Sequence, residues 1–143
     1  HPGGLAKGFT DPDWGASTAK AMIDQKADVI FGAGGDTGNG ALLYCAKPEV
    51  NVMAIGVDSD QYYTVDGVQK VLISSAMKLI TPAVKDNIIA ISKGTFKGGN
   101  VVGPVGLAPF HEWESKIPQA VKDKLNQIDK GLKDGTIKTN VVL

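Results

Sequence analysis

The apolar run Ala27-Asp28-Val29-Ile30-Phe31 breaks into the glycine-rich loop Gly32-Ala33-Gly34-Gly35-Asp36-Thr37-Gly38. A second apolar run, Ile55-Gly56-Val57, follows and ends at Asp58. Two short strands joined by a glycine loop and a helix form a βαβ unit, which commits the chain to a parallel sheet. In an open α/β sheet, the C-terminal ends of the strands face the crevice where such folds hold ligands. One aromatic ring, a set of glycine N–H groups and a carboxylate are therefore expected at one place.

The rest of the chain continues the alternation. Asp11-Pro12-Asp13 predicts a helix cap, and Trp14 to Lys26 a helix with Ala19, Met22 and Ile23 inward. Asp28 to Phe31 and Asn51 to Val57 are expected as fully buried strands, with a helix from Gly38 to Ala46 between them. Lys70 to Ser74 is expected as a third strand. Thr81-Pro82 predicts a helix start, with proline at the first helical position and Val84, Ile88 and Ile91 as an inward stripe. Val101 to Leu107, interrupted by Gly103-Pro104, suits an edge strand or a crossing segment. Ile117, Val121, Leu125, Ile128 and Leu132 recur on one face of a helix that stops at Gly135, and Thr136 to Val142 suits a last strand. Ahead of the first helix only Leu5 to Phe9 is available as a strand, which suggests that the chain starts part-way through an element. The fold class expected is α/β, a parallel sheet with helices on both faces, with 1–143 forming a single lobe.

Composition narrows the function. All 15 basic residues are Lys and the formal net charge is zero. Without the bidentate fork of Arg, and with no basic patch, nucleic acid is not an expected partner. Cys45, the single cysteine, lies among Leu42, Leu43 and Ala46 and suits a small core residue. His1 and His111 have no ligand spacing with it, so no metal site is expected.

The glycine loop lacks the Lys-Ser/Thr pair of a phosphate-binding loop. As a dinucleotide fingerprint it has Gly32 and Gly34, but Thr37 stands where the third glycine belongs. An NAD(P)-dependent oxidoreductase domain thus stays an alternative, as does a sensor domain built on a binding fold. Asp58, at the end of the second strand, can accept from two vicinal sugar hydroxyls. Phe31 is followed by glycines that leave its outer face open for a flat ring to stack. Ser75-Ala-Met-Lys78 matches the S-x-x-K pattern of acyl-enzymes, but the companion motifs are missing and Thr81-Pro82 restarts the helix. No catalytic set can be assembled, and no cofactor is expected. Lys78 still needs a reason, because a cation just ahead of a helix N-terminus is disfavoured. A polar ligand or a carboxylate such as Asp58 would supply one.

Several segments in order, Phe9-Thr-Asp-Pro-Asp-Trp-Gly15, Ala27 to Phe31, Thr37-Gly-Asn-Gly40, Ile55-Gly-Val-Asp-Ser-Asp-Gln61 and Ser75-Ala-Met-Lys78, resemble the C-terminal half of the basic membrane protein family. Val105-Gly-Leu-Ala-Pro-Phe-His111 and Asp134-Gly-Thr-Ile-Lys138 extend the resemblance to the end of the chain. Members are substrate-binding lipoproteins of ABC transporters with the type I periplasmic-binding fold, many of them binders of purine nucleosides. The resemblance implies that Phe31 is one of two rings sandwiching a base, that Asp58 binds the ribose hydroxyls and that Lys78 also reaches the sugar. It implies backbone contacts from Gly34, Gly35 and Asp36, and it places Trp14 near the cleft mouth. It further implies a nucleoside-like ligand, an ABC permease as partner of the full-length protein, and an extracytoplasmic, lipid-anchored or periplasmic location. The N-terminal lobe is not represented, so a segment of about 75–103 is expected to cross toward it. An isolated chain would then expose apolar surface and is expected to self-associate.

Overall fold

A computed structural model describes residues 1–139 and 141 and divides the chain into two compact units, His1–Glu112 and Trp113–Leu143. The first unit carries the sheet. Its elements run α1 (Gly4–Lys7), α2 (Pro12–Asp24), β1 (Val29–Phe31), α3 (Gly35–Cys45), β2 (Met53–Asp58), α4 (Gln61–Thr64), β3 (Leu72–Lys78), α5 (Ile80–Ser92) and β4 (Val105–Leu107). The sheet order is β1-β2-β3-β4, with the first three strands parallel and β4 antiparallel to β3. This is the α/β fold that the alternation predicts, a mostly parallel sheet flanked by helices. The antiparallel edge strand follows Gly103-Pro104, whose proline cannot donate to a central ladder.

Local chemistry explains most boundaries. Asp11 caps α2 by accepting from the Trp14 N–H at 2.9 Å, and Pro12 opens the first turn. The helices α2 and α3 approach closely enough that a methyl at Gly15 would overlap the Thr37 carbonyl. A methyl at Gly40 would likewise overlap the Pro12 carbonyl. The core is built from Ala19, Ile30, Leu42, Cys45, Ala54, Val65, Val68, Val71 and Leu72. Cys45 is fully buried within it, and burial pushes its thiol up to about 11.

Several expectations are corrected. Leu5 to Phe9 is not a strand: Gly4–Lys7 is one helical turn, since Gly8 and Lys7 offer no alternating pattern to a sheet. The first two strands are not fully buried: Ile30 is buried but Val29 and Phe31 are exposed, and β2 alternates in the same way. Buried and more exposed residues alternate along both strands, as when one face of a sheet is covered and the other is open. Met22 is exposed rather than inward. α3 begins at Gly35, earlier than the expected Gly38, because a glycine tolerates the left-handed φ of 56 at Gly35. β3 begins at Leu72 and runs on to Lys78, so the S-x-x-K residues lie on a strand. There Ser75 and Lys78, an odd number of positions apart, point to opposite faces.

α5 starts at Ile80 with Leu79 as its cap, which places Pro82 within the first turn rather than at its first position. Its expected inward stripe is open to solvent: Val84, Ile88 and Ile91 are 50%, 60% and 60% exposed. None of the residues of α5 is buried.

In the second unit, α6 (Gln119–Asp134) follows the predicted apolar period, and Gly135 ends it in the left-handed region at φ 76. No strand forms among the described residues of Thr136 to Val142; Asn140, Val142 and Leu143 lie outside the described residues.

Candidate functional site

Phe31, Asp58 and Lys78 are the last residues of β1, β2 and β3, three neighbouring parallel strands. Parallel pairing puts all three at the same end of the sheet, with the N-terminus of α3 beside them. The register places Asp58 opposite Met77 and Phe31 opposite Ile55. Residues that are 27 and 20 positions apart in the chain thus share one rim.

Asp58 adopts φ 69, a left-handed conformation that Asp tolerates better than branched residues. Its Oδ1 lies 2.7 Å from Lys78 Nζ, and both side chains are half or more exposed, 50% and 66%. The carboxylate that the cation at the head of α5 requires is therefore present. An exposed pair of this kind contributes little to folding. It remains available to a ligand whose hydroxyls can accept from the ammonium and donate to the carboxylate.

Phe31 is 55% exposed. With Trp14 on α2 and Thr37 on α3 it lines an open, largely apolar cavity of about 210 Å³. Trp14 packs edge-on against the His1 ring at 4.8 Å and also lines this cavity. Gly34 and Gly35 form the turn into α3. A side chain at Gly35 is disfavoured twice, by φ 56 and by the Phe9 carbonyl oxygen 2.9 Å from where a Cβ would sit. Asp36, in the first turn of α3, is exposed, and its N–H donates to the Phe9 carbonyl at 2.9 Å. Thr37, at the place of a third fingerprint glycine, is buried, and its Oγ1 accepts from the Asp11 N–H at 2.9 Å. The threonine is a structural tie between α3 and the start of α2.

Gln61, Asn39 and Ser75, to which the sequence assigned no part in a binding site, hold this rim together. Gln61 is buried; its Oε1 accepts from the Val57 N–H at 2.9 Å and its Nε2 donates to Asn39 Oδ1 at 2.8 Å. Asn39 Nδ2 in turn donates to Asp36 Oδ1 at 3.3 Å. The Gln61 N–H donates to the fully buried Ser75 Oγ at 3.1 Å. Gly56 permits this, since a Cβ there would lie 2.5 Å from Ser75 Oγ and 2.6 Å from Gln61 Oε1. The signal available in the sequence was Ser74-Ser75 inside an apolar strand, because a buried hydroxyl needs a partner. Asp60 caps α4 by accepting from the Tyr62 N–H at 3.2 Å, and its other oxygen meets His111 Nε2 at 2.8 Å. The His111 ring stacks on Tyr62 at 4.0 Å.

Among the described residues there is no group of three or more His, Cys, Asp or Glu side chains placed to hold a metal ion. Among the same residues, no helix is long and apolar enough to cross a membrane.

Residues 5–105 match the Bmp family, described as ABC transporter substrate-binding protein PnrA-like. The CD4+ T-cell-stimulating antigen of Listeria monocytogenes is 32% identical, over 93% of this chain and 41% of its own length. The protein of the same name from Listeria innocua gives the same figures, 32%, 93% and 41%. The chain thus spans about two fifths of the curated relatives it matches. Among solved structures, an ABC transporter solute-binding protein from Aeropyrum pernix superposes with a TM-score of 0.72 at 24% identity, covering 91% of this chain and 45% of that one. A structure titled as a transcriptional activator of the comK gene from Bacillus halodurans gives 0.72 at 19% identity, covering 86% and 42%. At these identities the two structures support the fold.

Proposed function

This chain belongs to the Bmp family of PnrA-like ABC transporter substrate-binding proteins, and we propose from that premise that it is one lobe of an extracytoplasmic solute-binding protein for a nucleoside-like ligand. A purine nucleoside is the first candidate. The carrying observation is the convergence of Phe31, Asp58 and Lys78 at the ends of three adjacent strands. One exposed ring and one exposed carboxylate–ammonium pair match the two halves of a nucleoside, a flat base and a sugar with vicinal hydroxyls.

In this reading Phe31 stacks on the base, in the range of about 1–3 kcal/mol for such contacts. Asp58 accepts from the ribose hydroxyls, Lys78 donates to a sugar oxygen, and the N-terminal turn of α3 at Gly34, Gly35 and Asp36 supplies polar contacts. Trp14 borders the base side. The role is binding without chemistry, and the partner that receives the ligand is an ABC permease. Attachment to the membrane through a lipid is part of the same proposal.

The cavity at the rim is open, and a second lobe is proposed to close it. The segment of about 75–103 is the proposed crossing, and the uncovered apolar face of α5 is the surface that the second lobe is proposed to bury. Calorimetric titration of the two-lobed protein with a panel of purine nucleosides and their free bases tests the ligand. Saturable binding of ribosides is expected; an intact fold that binds none of them overturns the reading.

A further inference from the structure

The side chains of Gln61 and Asn39 connect the N-terminal turn of α3 to the strand end that carries Asp58, and the connection has a direction. At one end stands the Val57 N–H, which can only donate. At the other stands the Asp36 carboxylate, which when ionised can only accept. Between them Gln61 presents its carbonyl to Val57 and its amide to Asn39, at 2.9 and 2.8 Å, and Asn39 presents its amide to Asp36 at 3.3 Å. Turning either amide over would set donor against donor or acceptor against acceptor. Fixed ends thus dictate both side-chain orientations.

Gln61 has no slack to absorb a change. It is buried, its own N–H is held by Ser75 Oγ, and Gly56 leaves room for nothing larger beside it. Hydrogen bonds in such a chain polarise one another. A change of charge or contact at Asp36 therefore alters the pull on Asn39, then on Gln61, and then on the Val57 amide, one residue before Asp58 and its left-handed turn.

We propose that Asn39 and Gln61 are positioning residues that couple the Asp36 contact to the Asp58 contact, so that the two ends of the site do not bind independently. The ligand side of this proposal rests on the nucleoside reading above. The coupling itself does not, and its test separates the two.

Amide hydrogen exchange at Val57 is followed in the chain and in D36N, N39A and the double variant. Asp36 is at the surface and Asn39 is only half-buried, so these variants are expected to fold, which circular dichroism checks. D36N is expected to speed Val57 exchange about threefold or more, and to have no further effect once Asn39 is Ala. If D36N leaves Val57 unchanged, or acts equally with and without Asn39, the relay is overturned. Q61E keeps the acceptor for Val57 but turns the Asn39 amide toward residue 61, which leaves Asn39 Oδ1 against the Asp36 carboxylate. D36N then supplies a donor to that oxygen and is expected to slow Val57 exchange in this background; the same acceleration as in the unaltered chain overturns the relay.

In the two-lobed protein, the adenosine-to-adenine affinity ratio is expected to fall in D36N by a similar factor, again only with Asn39 present. A structural loss alone would weaken both ligands together and leave that ratio unmoved, which counts against the coupling. If neither adenosine nor adenine binds, the nucleoside reading fails, and Val57 exchange alone decides the relay.

Discussion

Lys78 Nζ lies 2.7 Å from Asp58 Oδ1 across the ends of two neighbouring parallel strands. Both groups are largely in water, where such a pair contributes at most about 1 kcal/mol to stability. Stability therefore gives little reason for its placement at the strand ends, whereas recognition of a polyol gives a direct one.

Asp58→Ala is expected to lower the midpoint of thermal unfolding only slightly, through the poorer fit of Ala to the left-handed φ of 69. It is expected to weaken adenosine by about 1.5–3 kcal/mol, the range for a hydrogen bond to a charged group, while adenine changes little. Calorimetry with the two ligands checks the difference. Equal losses for both would exclude a sugar contact.

Phe31→Ala removes a ring that is already more than half exposed. Folding is expected to suffer less than about 1 kcal/mol, whereas affinity for both adenine and adenosine falls by about 1–3 kcal/mol. Unchanged base affinity would remove Phe31 from the site.

Gly15→Ala and Gly40→Ala each drive a methyl into a carbonyl of the facing segment, Thr37 and Pro12 respectively. Backbone cannot rotate away as a side chain can, so each is expected to cost about 1–3 kcal/mol or more. Urea unfolding with an unchanged slope and a lower midpoint is the expected record. Gly94→Ala meets no atom within 4 Å, and its penalty is expected to come from φ 67 alone.

Cys45 ionises at about 11 in the folded chain against an ordinary 9.0, because burial opposes the thiolate. The folded state keeps its proton longer than the unfolded one. Its contribution to stability is thus complete below pH 9.0 and is lost as pH rises toward about 11. Alkylation by iodoacetamide at pH 8 is expected to be at least about a hundredfold slower in the folded chain than in urea. Cys45→Ala is expected to flatten the alkaline fall in stability; an unaltered slope would assign it to other groups.

The apolar residues of α5 make a surface prediction. Ile80, Ile88 and Ile91 are each about 60% exposed. Ile88→Ser with Ile91→Ser is expected to leave unfolding of the chain almost unaltered while reducing dye binding and concentration-dependent association, followed by sedimentation. If the pair instead destabilises the chain strongly, α5 is packed in solution and the proposed covering lobe is not needed.

The sequence alone determined what depends on local chemistry. The cap at Asp11, the glycine entry to α3, the stop at Gly135 and the parallel βαβ order all follow from side-chain hydrogen bonds, φ freedom and apolar period. Phe31 and Asp58 were legible for a related reason, since parallel strands bring their C-terminal ends together whatever lies between, whereas the expected third strand stopped at Ser74 and only the structure carries it on to Lys78. Tertiary structure decided what periodicity cannot express. An apolar stripe such as Val84, Ile88 and Ile91 predicts a face to be buried, but only the presence of a partner buries it. A serine at position 75 or a glutamine at position 61 looks polar and peripheral in one dimension. Their burial and their shared hydrogen bonds arise only when three strands and a helix are brought together, because satisfying a buried donor depends on neighbours that the chain order does not supply.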